Sequence, residues 1–344
     1  MTAGWYEGDT RFIPGHYQPG VLIDLALGRG LDSHRVLRGT GLFHDDFPSG
    51  TVRLSPQQFL QLIANAWPLL GRDETAFLYG QRLLPGHYGA ASQALAQAAH
   101  LQEALEVLVE QQALLSPLLK PRVQMDEGQV QLAWLDACGC GEVQRFVLEA
   151  SMAAVASACH WLAGERLPWR FEFRHARPRH IEQYWAHLSD ALRFDCPRDR
   201  MLLPREWLHR PWPKGSATAA RVARQEARRQ LDTLGMEASL LGRLHDHLEA
   251  LIREPLNLER VAAAFGLSPA TLKRRLQKHG THFQALLDQA RLQVALDLYE
   301  SRGYTNDEVA AYLRFNDTTN FRRSFKRWAG ASPSALRHVL GLVS

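Results

Sequence analysis

The chain has 344 residues, 46% of them hydrophobic and 22% charged, which is enough for two domains with separate cores and too apolar for a disordered protein. Its formal charge of +4 belongs to one end: residues 236–344 hold 15 Lys and Arg against 11 Asp and Glu, while the preceding residues balance. That asymmetry suits a nucleic-acid partner at the C-terminal end. Residues 1–20 carry no long apolar core, and the apolar run Val147–Gly164 is interrupted by Glu149 and His160. It reads as a buried helix rather than a membrane span, and four cysteines fit a reducing compartment, so a cytoplasmic, nucleoid-associated protein is expected.

The first 213 residues read as an α+β domain, helices on an antiparallel sheet. Ser55-Pro56 caps a helix to about Leu70, and a second helix is expected over Leu101–Leu119. Pro121–Met125 and Gln129–Leu135 alternate around Asp126-Glu127-Gly128, a hairpin signal. A long helix over Glu142–Ala163 follows, then a strand at Trp169–His175 with Phe171 and Phe173 on one face. A helix at Pro178–Leu188 and short strands near Ala191–Phe194 and Met201–Leu203 complete the domain. Such an arrangement encloses a small pocket. His160, His175 and His187 are candidates for a polar pocket wall, and effector-contacting residues are otherwise unassigned. Cys138-Gly-Cys140 with Cys159 and His160 matches no usual zinc spacing, so no metal is expected, and the cysteines read as strand-end and core residues. Phosphate loops, nucleophile elbows and metal-binding helix motifs are absent, so neither catalysis nor a cofactor is expected.

Pro211–Ala217 is rich in linker residues. Residues 214–235 read as a linker and connecting helix, with Val222, Leu231 and Leu234 as the apolar positions of Ala219–Leu234 and a break at Gly235. A helix at Leu240–Ile252 opens the C-terminal domain, 236–344.

Within that domain one pattern occurs twice. Leu258, Val261, Ala262 and Phe265 mark a short helix capped by Asn257 and stopped at Gly266. Ser268-Pro269 starts a second helix whose inward residues are Leu272 and Leu276. Its other face carries Ala270, Lys273, Arg274 and Gln277, with Thr271 and Lys278 at the margins. The pattern returns at Asn306–Trp328: Val309, Ala310 and Leu313, then Phe315 at the turn, then Phe321, Phe325 and Trp328. The outer face there presents Thr319, Asn320, Arg322, Arg323 and Lys326. Such faces suit phosphates and base edges in a major groove. The position held by Gly266 in the first unit is Arg314 in the second. A left-handed backbone would strain it by roughly 1 kcal/mol, so the second turn is expected to differ in geometry or to be the weaker reader. Between the units, Phe283–Glu300 reads as one helix of about 18 residues, roughly 27 Å long. It makes an all-α domain of two helix-turn-helix units joined by a rigid spacer, matched to grooves about 34 Å apart.

Pro255–Arg337 resembles the DNA-binding domain of the AraC/XylS transcription regulators. The likeness rests on Leu-Ser-Pro-x-x-Leu-x-Arg at 267–274, on Phe283-Gln284-x-Leu-Leu-x-x-x-Arg291, and on Phe315–Lys326 followed by Gly330-x-Ser332-Pro333. It implies that Ala270, Lys273, Arg274, Thr319, Asn320, Arg322 and Arg323 face DNA. Upstream, His87-Tyr88-Gly89 before an Ala-rich helix, the segment Leu101-Gln-Glu-Ala104-Leu105, Phe171-Glu-Phe-x-His175-x-x-Pro178, Leu203-Pro204 and Leu208…Pro211 are similar to the arabinose-binding-type domain of one branch of that family, which includes ornithine-utilisation regulators. The resemblance implies an effector-sensing domain whose ligand is an amino acid, a fatty acid or another metabolite, and need not be a sugar.

The expected function is sequence-specific regulation of transcription by a homodimer on double-stranded promoter DNA, modulated by a small effector, with RNA polymerase as a further partner. Two alternatives stay open. One is an effector-independent regulator whose first domain only dimerises. The other is a DNA-targeted alkyl-transfer repair enzyme, which needs an activated cysteine thiolate.

Overall fold

The computed structural model describes residues 4–339. The chain divides into two compact units at Leu240/Leu241. The first unit starts with β1 (Trp5–Tyr6), β2 (Ile13–Pro14), α1 (Gln18–Gly28) and α2 (Ser33–Val36). β3 (Arg53–Leu54) pairs antiparallel with β2 and leads into α3 (Pro56–Leu70). A capping box fixes that start: Ser55 Oγ accepts from the Gln58 amide and Gln58 Oε1 accepts from the Ser55 amide. Four helices follow, α4 (Thr75–Gly80), α5 (Ala90–Ala96), α6 (Leu101–Glu110) and α7 (Gln112–Leu115).

The sheet begins with the hairpin β4 (Leu119–Met125) and β5 (Gln129–Asp136), closed where the Asp126 carboxylate accepts from the amides of Gly128 and Gln129. The long α8 (Gln144–Ala163) precedes β6 (Arg170–Glu172), α9 (Ile181–His187), β7 (Leu192–Arg193) and β8 (Arg200–Pro204). The five strands lie in the order β4-β5-β8-β6-β7 and are antiparallel except at β6–β7, where Phe171 pairs with Leu192 in a parallel ladder. The sheet is therefore mixed, which departs from the antiparallel expectation. Across β6, β8 and β5, Arg200 donates to Glu172 at 2.6 Å and to Gln131 at 2.7 Å, so the buried charges are paired. Helix α8 packs against α4 and buries Phe146, Met152 and Leu162. The helix Gly141–Ala163 is apolar and long enough to cross a bilayer, but 67% of its apolar window is buried in protein, as expected for a core helix.

Proline explains the clearest correction to the expected elements. The helix read as Leu101–Leu119 ends at Glu110, is followed by the single turn α7, and gives way to strand at Leu119. Pro117 excludes helical geometry from the residue before it, and Ser116 sits at φ −146°, ψ 63°. The expected strand Trp169–His175 pairs only over Arg170–Glu172, and the helix expected at Pro178–Leu188 spans Ile181–His187. Helices α1, α2 and α4 had no counterpart in the sequence reading. At Gly80 the end of α4 presses on α8 so closely that a Cβ would collide with the Ala150 carbonyl, so only glycine fits.

Ser216 caps α10 (Ala217–Leu234), and β9 (Ala238–Ser239) pairs in parallel with β1. Residues 214–235, read as a linker and connecting helix, thus fall inside the first unit. The buried face of α10 is Ala220, Ala223, Ala227 and Leu231, while Val222, expected on the apolar side, is exposed. Small residues let α10 lie against α5, and Arg224 bridges to Glu106 at 3.3 Å and Glu110 at 2.5 Å on α6.

The second unit is helical: α11 (Leu240–Ala250), α12 (Leu258–Ala264), α13 (Pro269–Lys278), α14 (Phe283–Arg302), α15 (Asn306–Tyr312), α16 (Thr318–Ala329) and α17 (Pro333–Val339).

Candidate nucleic-acid interface

The helix pair α12–α13 is built from its caps inward. Asn257 Oδ1 accepts from the Arg260 amide at 2.8 Å and starts α12. Gly266 takes φ +65°, and the chain folds back through Gly266 N–H to Ala263 O at 3.0 Å and Leu267 N–H to Ala262 O at 2.9 Å. Ser268 Oγ accepts from the Thr271 amide at 3.1 Å and Pro269 occupies the first helical turn. Leu272 and Leu276 are fully buried. The remaining circumference of α13 faces outward.

The pair α15–α16 follows the same plan with different residues. Thr305 and Glu308 form a capping box; the Thr305 amide donates to Glu308 Oε2 at 2.7 Å and holds that carboxyl below its ordinary range. Arg314 takes φ +60°, with Arg314 N–H to Ala311 O at 3.1 Å and Phe315 N–H to Ala310 O at 2.9 Å. Those bonds are the counterparts of the ones at Gly266. The expectation that an arginine here would change the turn geometry is corrected: the turn is preserved and the side chain reaches Arg253 O at 3.1 Å. Asp317 caps α16 by accepting from the Asn320 amide at 2.7 Å. The anchors Phe321 and Phe325 are fully buried, with Phe315 edge-on to Phe321 at 5.6 Å.

Helix α14 reaches the second pair through several contacts. The Tyr299 hydroxyl donates to Asn306 at 2.8 Å, the Tyr299 ring stands edge-on to Phe325 at 5.9 Å, and the Arg291 guanidinium lies 5.7 Å from the Phe315 ring centre. A further link joins Arg327 on α16 to Asp288 on α14 at 3.2 Å.

The expected readers fall as follows. On α13, Ala270, Lys273, Arg274, Gln277 and Lys278 are exposed, and Thr271 is half-buried with its hydroxyl 2.8 Å from Ser268 Oγ. On α16, Thr319, Asn320, Arg322, Arg323 and Lys326 are exposed. Asn320 Nδ2 donates to Asp317 Oδ2 at 2.6 Å, so part of its hydrogen-bonding capacity serves the cap. Asp317 was not singled out from the sequence; its spacing of three from Asn320 is the signal that marks it.

In the first unit, one hollow of about 440 Å³ brings together His160 and His187 with Gln81 and Arg166. Gln81 Nε2 lies 3.0 Å from His187 Nδ1, and burial pulls the His187 pKa down. His175 is elsewhere, 3.7 Å from the buried carboxylate of Glu149. A second hollow of about 350 Å³ is lined by Gln18, Tyr79, Phe146 and the segment Leu115–Leu119. All four cysteines are buried and none is in a disulfide. Burial raises every thiol pKa, to about 12 at Cys159 and about 11 at Cys196. Cys138 Sγ donates to Pro117 O at 3.4 Å. Among the described residues no group of three or more His, Cys, Asp or Glu is placed to hold a metal ion.

Residues 30–212 match the family model described as the arabinose-binding domain of AraC transcription regulators, N-terminal, and residues 261–338 match a helix-turn-helix domain. The ornithine utilization regulator of Pseudomonas aeruginosa is 28% identical over 320 residues, covering 93% of this chain and 94% of that protein. The transcriptional regulator VirS of Mycobacterium tuberculosis is 26% identical over 196 residues, 56% of this chain and 57% of its own length. The crystal structure of the transcriptional regulator CdpR from Pseudomonas aeruginosa aligns over 93% of this chain and 98% of that one, with 21% identity and a TM-score of 0.46. With an N-terminal match covering more than half of its length and a helix-turn-helix match behind it, the protein belongs to the AraC family of DNA-binding transcription regulators.

Proposed function

We propose that this chain is a cytoplasmic, homodimeric regulator that reads promoter DNA with both α13 and α16 and responds to a small effector bound in its first unit, acting on transcription alongside RNA polymerase. In this reading α14 is the strut. Its 20 residues span about 30 Å, close to the roughly 34 Å between successive major-groove segments on one face of a duplex. Effector binding shifts an equilibrium between two states of the regulator and so changes promoter occupancy.

The observation that carries this reading is the shared design of two short helices. Each is pinned by buried anchors, and each turns basic and short polar side chains outward where no protein covers them. A single face of this kind is an ordinary solvated surface; two of them around one stiff helix make a reader. The thiols speak against the alkyl-transfer alternative, since a buried cysteine with a raised pKa is a poor nucleophile at neutral pH.

The test is selection of duplexes from fragmented genomic DNA with the full-length protein, followed by titration of a selected duplex between about 50 and 200 mM salt. A footprint of two adjacent major-groove segments with steeply salt-dependent affinity is expected. Failure to enrich any sequence, or a footprint unaffected by substitutions on α13 and α16, overturns the reading. The effector is a small metabolite; the name of the Pseudomonas aeruginosa relative ties that protein to ornithine utilization.

A further inference from the structure

We propose that the hollow enclosed by α1, α3, α4, α8 and residues 115–119 is the effector site, and that it takes a neutral, largely apolar molecule with a single hydrogen-bond donor. The proposal rests on the regulator reading above and deepens it. None of the residues lining this space is Asp, Glu, Lys, Arg or His; Phe59, Ile63, Phe146 and Val147 are among its walls. A carboxylate or ammonium placed there would lose its hydration with no opposite charge to replace it, which costs several kcal/mol. A zwitterionic amino acid is therefore excluded from this hollow.

One polar atom in the wall is unpaired. Gln18 is 3% exposed, and its Nε2 donates to Leu114 O at 2.6 Å. A carbonyl only accepts, so the orientation of the amide is fixed and Oε1 is left as the acceptor, buried and without a partner. The neighbouring polar groups are already used: the Tyr79 hydroxyl donates to Gln18 O at 2.9 Å, Ser116 Oγ to Leu119 O at 2.7 Å and Ser151 Oγ to Val147 O at 2.8 Å. An unsatisfied buried acceptor is costly, so a ligand O–H or N–H that meets it gains affinity that an apolar analogue lacks.

The same hollow is wired to the end of the first unit. Pro117, in its wall, accepts from the Tyr6 hydroxyl at 2.9 Å. Tyr6 lies in β1 and pairs with Ser239 in β9, the residue before Leu240 and the start of α11. Displacement of Pro117 by a bound molecule is transmitted through one buried hydrogen bond to the two residues that lead into the DNA-binding unit. Tyr6 is thus a positioning residue for coupling and touches no ligand.

The experiment uses full-length protein and four probes of one shape: benzyl alcohol, toluene, benzoate and benzylamine, with ornithine as a fifth. Binding is followed by calorimetry and thermal shift. Benzyl alcohol is expected to bind at least tenfold more tightly than toluene, and benzoate, benzylamine and ornithine not to compete with it. Gln18→Leu should erase the preference for the alcohol while toluene still binds; should that variant fail to fold, Leu83→Trp at the half-buried rim should block both neutral probes. A charged probe that binds the hollow more tightly than benzyl alcohol overturns the proposal. So does a preference that survives Gln18→Leu, or the absence of binding by either neutral probe, which would assign the space to water. Charged probes bound in the neighbouring hollow, and lost in Arg166→Ala, would place the effector there instead. For the coupling, benzyl alcohol should change amide exchange protection at residues 238–241 in the parent protein and leave it unchanged in Tyr6→Phe; unchanged protection in the parent overturns the relay. Duplex binding is measured in parallel without probes. Its absence sinks the regulator reading, whereas duplex binding without probe binding sinks only the assignment of the hollow.

Discussion

The helix pairs α12–α13 and α15–α16 reach one turn geometry by different chemistry. In α12–α13 a glycine supplies the left-handed turn and two leucines supply the anchor. In α15–α16 an arginine is held at φ +60° by a side-chain bond to Arg253 O, and two buried phenylalanines flanked by Phe315 and Trp328 replace the leucines. Backbone strain of about 1–2 kcal/mol is tolerated where a larger aromatic cluster surrounds it. The comparison teaches that a turn position is specified by the conformation its surroundings enforce, and that glycine is only the cheapest residue to adopt it. It also separates the pairs by role. The outer face of α16 begins with Thr319 and Asn320 and continues into two adjacent arginines, whereas α13 offers Ala270 at the matching end. On the proposed reading, the second pair is the richer reader of bases and the first contributes more through phosphates.

Substitution of the anchors should expose the difference most strongly. Phe321→Ala should cost about 3–5 kcal/mol and Leu272→Ala about 2–5 kcal/mol, read as loss of the second unit's transition in urea melts followed by circular dichroism. Equal losses would deny that the aromatic cluster is the stronger anchor. Arg322→Ala, Arg323→Ala and Arg274→Ala should each weaken binding to a selected duplex by about 1–3 kcal/mol, with sequence preference relaxed more by the two changes on α16. A greater relaxation by Arg274→Ala would reverse the assignment of roles. Lys273→Ala and Lys326→Ala should weaken all duplexes alike and lower the slope of log affinity against log salt by about 1. At the turns, Gly266→Ala should destabilise by about 1–2 kcal/mol. Arg314→Gly should be close to neutral, because about 1 kcal/mol of relieved strain is offset by loss of the bond to Arg253 O, worth about 0.5–1.5 kcal/mol. A large gain from Arg314→Gly would show that the arginine bond contributes little.

The second unit was largely legible from sequence because its helices are short, exposed on one side and punctuated. Asn257, Gly266 and Ser268 mark starts and stops in the first pair, and the buried positions recur with helical spacing in both. The turn at Arg314 was not legible, since the side chain there is held by a carbonyl 61 residues away. The first unit was harder. Helix α1 buries Gln18, Pro19, Val21, Leu22, Ile23, Leu25 and Ala26, so it has little polar face to reveal its period. Helix α10 hides its packing face among alanines and exposes Val222. Gln18 itself gave no signal. Its importance comes from a carbonyl nearly a hundred residues later that fixes its amide, and periodicity is blind to such pairings.

The ladder between Trp5–Tyr6 and Ala238–Ser239 also has a consequence for biosynthesis. The residues of β1 must wait for partners made about 230 residues later. At bacterial-scale synthesis rates of about 5–20 residues per second this is a delay of roughly 10–50 seconds. Through that interval the nascent chain holds Trp5 and Tyr6 without their sheet partner. The strand that completes the first unit then leaves the ribosome directly ahead of α11.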